Sequence, residues 1–380
     1  MNFAFIKELK DFSRFFKLPK EKKQIVFYSE HGGYQGSFEG IIQELLEKYN
    51  QDIVYITSDI KDPILKESDD RIVPLYINKM LSLFMPLVDS RVFVMTLTDL
   101  GNFYIKRSKN PVHYVYVFHA LVSTQMIYNF GAFDNYDSVL CAGPHHIKEI
   151  QKQEELYKLK QKKLVPAGYY RLERIMNSFR QYEKGGQEAG HKVKTVLIAP
   201  SWGDKNILET CGDDLIDTLL GQGYKVIVRP HSETIRRFPR LIKKFEQTFG
   251  QNQNFKLEKS NASDDSIITA DILICDCSGI ALEYAFGTER PVIFMDVPLK
   301  IKNKKFKEIG EPLEFFLRSK IGRIVAPQNI KSIPGMIEDM IVNGQQYKKE
   351  IINLRESYLF NLGNSSKIGA KYLFDLTQNS

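Results

Sequence analysis

The stretch from Ile272 to Met295 has the residue types for phosphate chemistry, and its pattern predicts strand, small polar turn, helix and strand. The turn, Asp276–Gly279, opens a helix whose first backbone N–H groups lack partners and lie at the positive end of the helix dipole. Ser278 and Gly279 suit a phosphate there, and Glu283, one turn further on, is within reach of a ribose hydroxyl. The alternative is an ordinary strand–helix–strand unit in which Ser278 only caps the helix.

Two further predicted strands of this half also end in polar loops. Residues 193–198 lead into a loop with Ser201, and residues 225–228 lead into a loop with Arg229 and His231. Ligands of open parallel sheets bind outside the carboxyl ends of the strands. Three such loops therefore favour a ligand site over three polar turns.

The first half contains two weaker groups of candidates. The glycine-rich loop with His31, Gly32 and Gly33 has neither the Walker order nor the dinucleotide fingerprint. It suits close approach of backbone to a substrate, and equally a flexible turn. His119 ends an apolar strand, and its near-neutral pKa suits a general base. A lone histidine there is more often structural, but His231 at the equivalent edge of the other half favours catalysis. No cluster has metal-ligand spacing, so we predict neither a metal nor a cofactor.

These residues need two α/β sheets to position them. Strand and helix signals alternate in both halves, which predicts parallel sheets, and 380 residues are too many for one core. Residues 181–194 are polar and glycine-rich, like a linker. The predicted organisation is a segment 1–24, an α/β domain 25–180, the linker, a second α/β domain 195–345 and closing helices 346–380. We expect the carboxyl edges of the two sheets to face each other across a cleft.

The first 24 residues predict a basic amphipathic helix, and they account for much of the net charge of +7. One face carries Phe5, Leu9, Phe12 and Phe16, and the opposite face carries Lys7, Lys10, Arg14 and Lys17. This pattern favours an anionic membrane surface, although a helix packed on the protein body would expose the same lysines. Basic residues do not gather with aromatics into a nucleic-acid motif.

The remaining composition predicts a cytoplasmic protein. No run approaches the length of a membrane span, no signal peptide pattern occurs, and the four cysteines suit a reduced core. Together with the first helix, this predicts a peripheral position on the inner face of the cell membrane.

An ordered series of blocks resembles the CDP-glycerol glycerophosphotransferases of teichoic acid and surface polysaccharide synthesis. The blocks are Ser29–Gly40, Val115–His119, Asn135–Val139 with Val165–Arg171, Ala199–Trp202, Arg229–His231, and Asp276–Gly279 with Glu283. Four positions depart from that family's pattern. Ala120 stands in place of a glycine, Ser123-Thr124 in place of a basic position, Gly279 in place of a second serine and Glu283 in place of an aspartate.

The resemblance implies a GT-B fold and a transferase of cell-envelope synthesis, either teichoic acid or capsule polysaccharide. A glycerol-phosphate-like unit would pass from CDP-glycerol or a related CDP-alditol to a hydroxyl of a lipid-linked or polymeric surface glycan, releasing CMP. The second domain would hold the donor and the first the acceptor. The residues that it implies are catalytic His119, as base, and His231, at the diphosphate; donor-binding Arg229, His231, Ser201, Asp276, Ser278, Gly279 and Glu283; and acceptor-side His31, Gly32 and Gly33.

Two other functions fit the same sequence. A GT-B glycosyltransferase would use a nucleotide sugar and release a nucleoside diphosphate instead of CMP. A non-catalytic scaffold of an envelope-polymer complex is a third interpretation, against which the two strand-end histidines argue.

Overall fold

The computed structural model describes residues 3–98, 100–102, 104–185, 193–260 and 263–378. The strands in these ranges are β1 (Ile25–Ser29), β2 (Ile53–Thr57), β3 (Ile72–Tyr76), β4 (Val92–Met95), β5 (His113–Val117), β6 (Ser138–Cys141), β7 (Lys163–Pro166), β8 (Thr195–Ile198), β9 (Lys225–Val228), β10 (Phe255–Leu257), β11 (Ile272–Cys275), β12 (Val292–Met295) and β13 (Gly322–Val325). Every pairing between them is parallel.

The α-helices in the same ranges are α1 (Phe3–Lys17), α2 (Gln35–Tyr49), α3 (Leu81–Phe84), α4 (Pro144–Tyr157), α5 (Tyr170–Lys184), α6 (Ile207–Thr210), α7 (Gly212–Gly221), α8 (Ser232–Arg237), α9 (Pro239–Phe249), α10 (Asp265–Thr269), α11 (Gly279–Thr288), α12 (Phe306–Ile309), α13 (Leu313–Leu317), α14 (Ile333–Val342), α15 (Gly344–Tyr358) and α16 (Ser365–Gln378). Short 3-10 turns join several of them.

The first compact unit comprises Met1–His119, Tyr128–Arg171 and Leu359–Ser380. Its sheet has the order β3-β2-β1-β4-β5-β6-β7. The central strands are apolar and buried along their whole length, as expected where helices cover both faces. Helices α2 and α16 pack together over one face, where Gly369 lets α16 approach Ile41 and Leu140. Helix α16 therefore completes the core of the first unit.

Helix α1 packs against the body of the first unit. Phe15 is fully buried, and its ring lies 4.8 Å from that of Phe84. The Glu8 carboxylate accepts hydrogen bonds from the backbone N–H groups of Asn78 and Met80, at 2.6 and 2.7 Å. The helix is thus part of the fold, as the alternative interpretation predicted, and its apolar face is divided. Phe12 and Phe16 also contact Phe84, whereas Phe3, Ile6 and Leu9 stay exposed.

The second compact unit comprises Ala120–Ile127 and Leu172–Tyr358. Its sheet has the order β10-β9-β8-β11-β12-β13. Helix α5 belongs to this unit because it packs on α11. The two helices approach closely at Gly287 of α11, where a Cβ would lie only 2.4 Å from the Ile175 side chain of α5. On the same side, the Arg355 guanidinium of α15 donates to the Phe286 carbonyl at 2.6 Å.

These units divide the chain at other points than the predicted domains 25–180 and 195–345. Residues 120–127 and α5 join the second unit, and the predicted closing segment 346–380 is shared by both. Part of the predicted linker 181–194 is the end of α5, and residues 186–192 lie outside the described ranges. The division differs because the buried side of α5, with Leu172 and Ile175, packs on α11.

Candidate functional site

The order of the second sheet reverses between β8 and β11, which leaves a crevice at their carboxyl ends. The two loops that begin there carry Ser201 and Asp276. Ser201 donates from its backbone N to one Asp276 carboxylate oxygen at 2.9 Å and from its hydroxyl to the other at 2.6 Å. The predicted donor-site residues Ser201 and Asp276 therefore meet at the position where ligands of such sheets bind.

Asp276 holds this crevice in shape. Burial raises the pKa of its carboxyl above the ordinary value, and the hydrogen bonds from Ser201 and the nearby charge of Lys300 act in the opposite direction. Both of its carboxylate oxygens accept bonds from Ser201. The geometry thus makes Asp276 the connection between the β8 and β11 loops.

The start of α11 has an unsatisfied hydroxyl. Ser278 is the N-cap residue with extended backbone, yet its side chain forms no capping bond. Its buried Oγ has no hydrogen-bond partner among the described residues. Ser278 thus stands at the N-cap position without a side-chain capping bond, and its hydroxyl lies at the helix start, where the first N–H groups have no partners within the helix.

Residue 279 must be a glycine because the chain segment 120–127, which we call the crossing segment, packs closely against it. A Cβ at residue 279 would lie 3.0 Å from Val122 Cγ1 and 3.3 Å from the backbone N and O of Leu121. This contact lies within the second unit. Glu283, one turn further along α11, is buried.

Glu314 anchors the crossing segment. Its carboxylate accepts from the Ser123 backbone N at 2.9 Å and from the Ser123 hydroxyl at 2.6 Å. The same hydroxyl accepts from the backbone N of Leu313 at 2.6 Å. Ser123, which departs from the family pattern, thus fixes the residues that directly follow His119 in the chain.

Arg229 and His231 follow β9 and are held differently. The Arg229 guanidinium is buried, donates to Ser263 and Ser266 at 2.9 Å each, and lies 3.5 Å from the Glu258 carboxylate. It fixes its loop from inside the unit. His231 caps α8, since its Nδ1 accepts from the Glu233 backbone N at 3.1 Å. The neutral ring then carries its proton on Nε2 and is a donor there.

The residues predicted from the sequence did not include Trp202 or the cations around it. The Trp202 ring lies 6.1 Å from that of His231. Three cations lie near the Trp202 ring, contributed by Arg237, Lys300 and Lys302. The signal available in sequence was the lysine-rich stretch after β12, but nothing in the spacing placed it near Trp202.

The first unit brings His31 and His119 into one aromatic row. The His31 ring stacks on Tyr34 with 4.2 Å between centroids, and Tyr34 lies 4.7 Å from His119. His31 Nδ1 accepts from the Gly33 backbone N at 3.1 Å. Gly32 packs against the side chains of Asp62 and Pro63. A Cβ at residue 32 would lie 3.4 Å from the Asp62 side chain and 3.3 Å from the Pro63 side chain. Tyr34 joins the two predicted histidines and was not itself predicted.

No helix within the described ranges combines the length and apolarity that crossing a bilayer requires. No three His, Cys, Asp or Glu side chains come together as metal ligands in that part of the chain.

Solved structures show the fold. A variant of the wall teichoic acid polymerase TagF matches with TM-score 0.63 and 16% identity over 99% of this chain and 95% of its own. TagF soaked with CDPG matches with TM-score 0.61 and 15% identity over 99% of this chain and 95% of its own. The UDP-GlcNAc 2-epimerase of Neisseria meningitidis matches with TM-score 0.58 and 15% identity over 92% of this chain and 99% of its own. These likenesses identify two Rossmann-like domains of the GT-B type.

The comparison of sequences gives the family. No curated protein sequence matches the chain. The family profile described as CDP-glycerol:poly(glycerophosphate) glycerophosphotransferase matches residues 11–367, nearly the whole chain. The chain therefore belongs to the CDP-glycerol:poly(glycerophosphate) glycerophosphotransferase family and is an enzyme of that class.

Proposed function

We propose that the protein moves glycerol phosphate, or a related alditol phosphate, from a CDP-linked donor to a hydroxyl of a lipid-linked or polymeric surface glycan and releases CMP. The observation that carries the proposal is the double hydrogen bond from Ser201 to Asp276 at the reversal point of the second sheet. Family membership supports the donor, and the likeness to a wall teichoic acid polymerase supports a teichoic-acid-like acceptor, with capsule polysaccharide as the other product class.

The donor binds in the second unit. Its diphosphate lies at the start of α11, where the Ser278 hydroxyl and the first N–H groups are suited to a phosphate oxygen. His231 donates to the diphosphate from Nε2, and Glu283 binds the ribose. Asp276 and Arg229 hold the surrounding loops in place, and Gly279 allows the crossing segment to pack beside the helix start.

The transfer step follows from these roles. His119 accepts the proton of the acceptor hydroxyl, whose oxygen attacks the phosphorus that bears the glycerol. The bond from that phosphorus to the bridging oxygen of the diphosphate breaks, and CMP leaves with the electron pair. His231 stabilises the negative charge that develops on the leaving phosphate. His31, Gly32 and Gly33 belong to the acceptor side.

A nucleotide panel tests the donor assignment. We expect CDP to raise the melting temperature more than UDP or GDP does, since a ligand at about 100 times its Kd adds about 2.7 kcal/mol of stability. Turnover with CDP-glycerol and CDP-ribitol should release CMP, and UDP-sugars should give no product. Strong stabilisation by UDP or GDP without stabilisation by CDP would contradict the assignment and favour a nucleotide-sugar transferase.

Membrane contact is the second part of the proposal. Phe3, Ile6 and Leu9 are exposed at a spacing of three residues on α1, and Lys10, Arg14 and Lys17, which lie next to Phe3 and Ile6 around the helix, are exposed as well. Apolar side chains between basic ones suit the surface of an anionic membrane. We therefore infer a cytoplasmic enzyme bound peripherally to the inner face of the cell membrane.

Point substitutions test this better than deletion, because deletion would uncover Phe84. The double variant Ile6→Ser, Leu9→Ser should sediment less with anionic vesicles than the wild type. It should leave the melting temperature and CDP binding unchanged. The double variant Leu156→Ser, Val342→Ser, at exposed apolar positions of α4 and α14, is the matched control. Equal sedimentation of all three proteins would exclude α1 as the membrane-binding element.

A further inference from the structure

Trp202 is surrounded by cations from separate parts of the second unit. Lys300 Nζ lies 3.3 Å from the centre of its ring, the Arg237 guanidinium carbon 4.7 Å and Lys302 Nζ 5.5 Å. Arg237 comes from α8, and both lysines come from the loop after β12. We call Trp202 with these three cations the tryptophan cluster.

The tryptophan cluster has more cations than anions. Arg237 is paired with Glu233 at 2.8 Å, and the carboxylate oxygens of Asp276 are engaged by Ser201. Lys300 forms no ion pair among the described residues, although its side chain is half-buried. A local surplus of positive charge of this kind attracts anions.

The surroundings of Lys300 lower its pKa to about 7, mainly because it is buried. Lys302 and Arg237 lower the pKa further, and Asp276 and Glu233 raise it. The His231 ring also lies beside Trp202, with 6.1 Å between the ring centroids. Without an added anion, Lys300 is therefore partly neutral at physiological pH.

We propose that Lys300, resting on the face of Trp202, is a phosphate-binding residue of the donor site and binds the donor diphosphate together with Arg237 and Lys302. This rests on the proposed function, which places the donor at the same edge of the same sheet. Asp276 connects the tryptophan cluster with the proposed diphosphate site at the start of α11. It holds the loop that carries Ser201 and Trp202, and its carboxylate also faces Lys300.

Proton uptake is the consequence that distinguishes Lys300 from an ordinary phosphate ligand. The negative diphosphate raises the lysine pKa, so the bound form holds a proton that the free form lacks above pH 7. At pH 8 the uptake should approach one proton for each CDP bound, since the free lysine is then mostly neutral. The affinity should fall as the pH rises above about 7, and uptake should disappear below that pH.

The test is calorimetric titration of the full-length protein with CDP at pH 8 in two buffers of different ionisation enthalpy. Lys300→Arg should bind CDP without proton uptake, since arginine stays protonated. Lys300→Met should lose the uptake and bind roughly 10- to 100-fold more weakly, as for a lost charged hydrogen bond. Lys304→Met, at a nearby exposed lysine, should behave like the wild type in both respects.

The outcomes separate this inference from the proposed function. Wild-type protein that does not bind CDP would overturn the proposed function and the inference with it. If the wild-type protein binds CDP and Lys300→Met binds it with the same affinity and the same proton uptake, the inference alone is overturned. Lys300→Met replaces a partly buried cation with an apolar side chain. Circular dichroism melts should therefore establish that this variant is folded before its affinity is compared with that of the wild type.

Discussion

The two proposed catalytic histidines are held by different contacts, and their substitution should have different effects. The His119 ring lies against Tyr34, with 4.7 Å between the ring centroids. The His231 ring caps α8 through Nδ1 and presents its other nitrogen as a donor. Loss of this cap should lower the stability of His231 variants, whereas the proposed role of His119 predicts a loss of rate.

His119→Ala should lower turnover by roughly 10²- to 10⁴-fold, as is typical when a general base is removed. CDP affinity and melting temperature should stay near their wild-type values. Turnover assays beside CDP titration and circular dichroism melts measure this. A folded variant with normal turnover would remove His119 from the mechanism.

His231→Ala should weaken CDP binding and turnover, and it should also destabilise the protein by about 0.5–2 kcal/mol through loss of the cap. His231→Asn is the matched variant, because an asparagine side chain can still accept the Glu233 N–H. We expect Asn to restore the melting temperature and leave CDP binding weak. Recovery of both properties would show that the ring acts only as a cap.

At the scale of elements, the crossing segment is fastened by a buried carboxylate. Burial raises the pKa of Glu314 above its ordinary value, and the hydrogen bonds from Ser123 oppose this shift. Both of these bonds reach one oxygen, Oε2, and Oε1 has no partner among the described residues. An amide can therefore replace the carboxylate without losing either bond.

Glu314→Gln should be at least as stable as the wild type at neutral pH, while Glu314→Ala should be less stable because Ser123 loses its acceptor. The pH dependence has a definite sign. A raised carboxyl pKa contributes stability below the ordinary value near 4.5, and this is lost as the pH rises through the folded-state pKa. The advantage of Gln should therefore be larger at pH 7.5 than at pH 5 in urea denaturation. The opposite trend would mean that the carboxyl is stabilised in its charged form.

Helix α1 should contribute to stability as well as to membrane contact. Phe15→Ala should destabilise the protein by about 3–5 kcal/mol, since the ring is fully buried against Phe84. Phe3→Ala is the control on the same helix, because Phe3 is 77% exposed. It should change the free energy of unfolding by less than about 0.5 kcal/mol. Equal effects in urea denaturation would show that α1 does not pack on the unit in solution.

At the scale of the whole molecule, the sequence predicted what depends on local pattern. The strand predicted at 225–228 has these bounds in the structure, and the strand predicted at 193–198 begins two residues later, at Thr195. The strand Ile72–Tyr76 was missed because Pro74 interrupts its pattern, which an edge strand tolerates. Phe255–Leu257 was missed because it is short and only partly buried, also at an edge.

The candidate site was predictable to the same extent. Ser201 and Asp276 follow recognisable strands, so their proximity could be expected from the sheet rule. Tyr34 and Lys300 could not be identified, since their contacts with His119 and Trp202 join residues 85 and 98 positions apart (119 − 34 and 300 − 202). The placement of the crossing segment depends on Glu314, which lies 191 positions from Ser123 in the sequence.

The path of the chain has a consequence for synthesis on the ribosome. All seven strands of the first sheet have been synthesised once Pro166 is added, but α16, which covers Ile41 and Leu140, is synthesised only after the whole of the second unit. The crossing segment must likewise wait for Gly279 and Glu314. The first unit can therefore reach its final packing only after the second unit has been made, and a chain stopped after Tyr358 would expose the apolar face of α2 to chaperones and proteases.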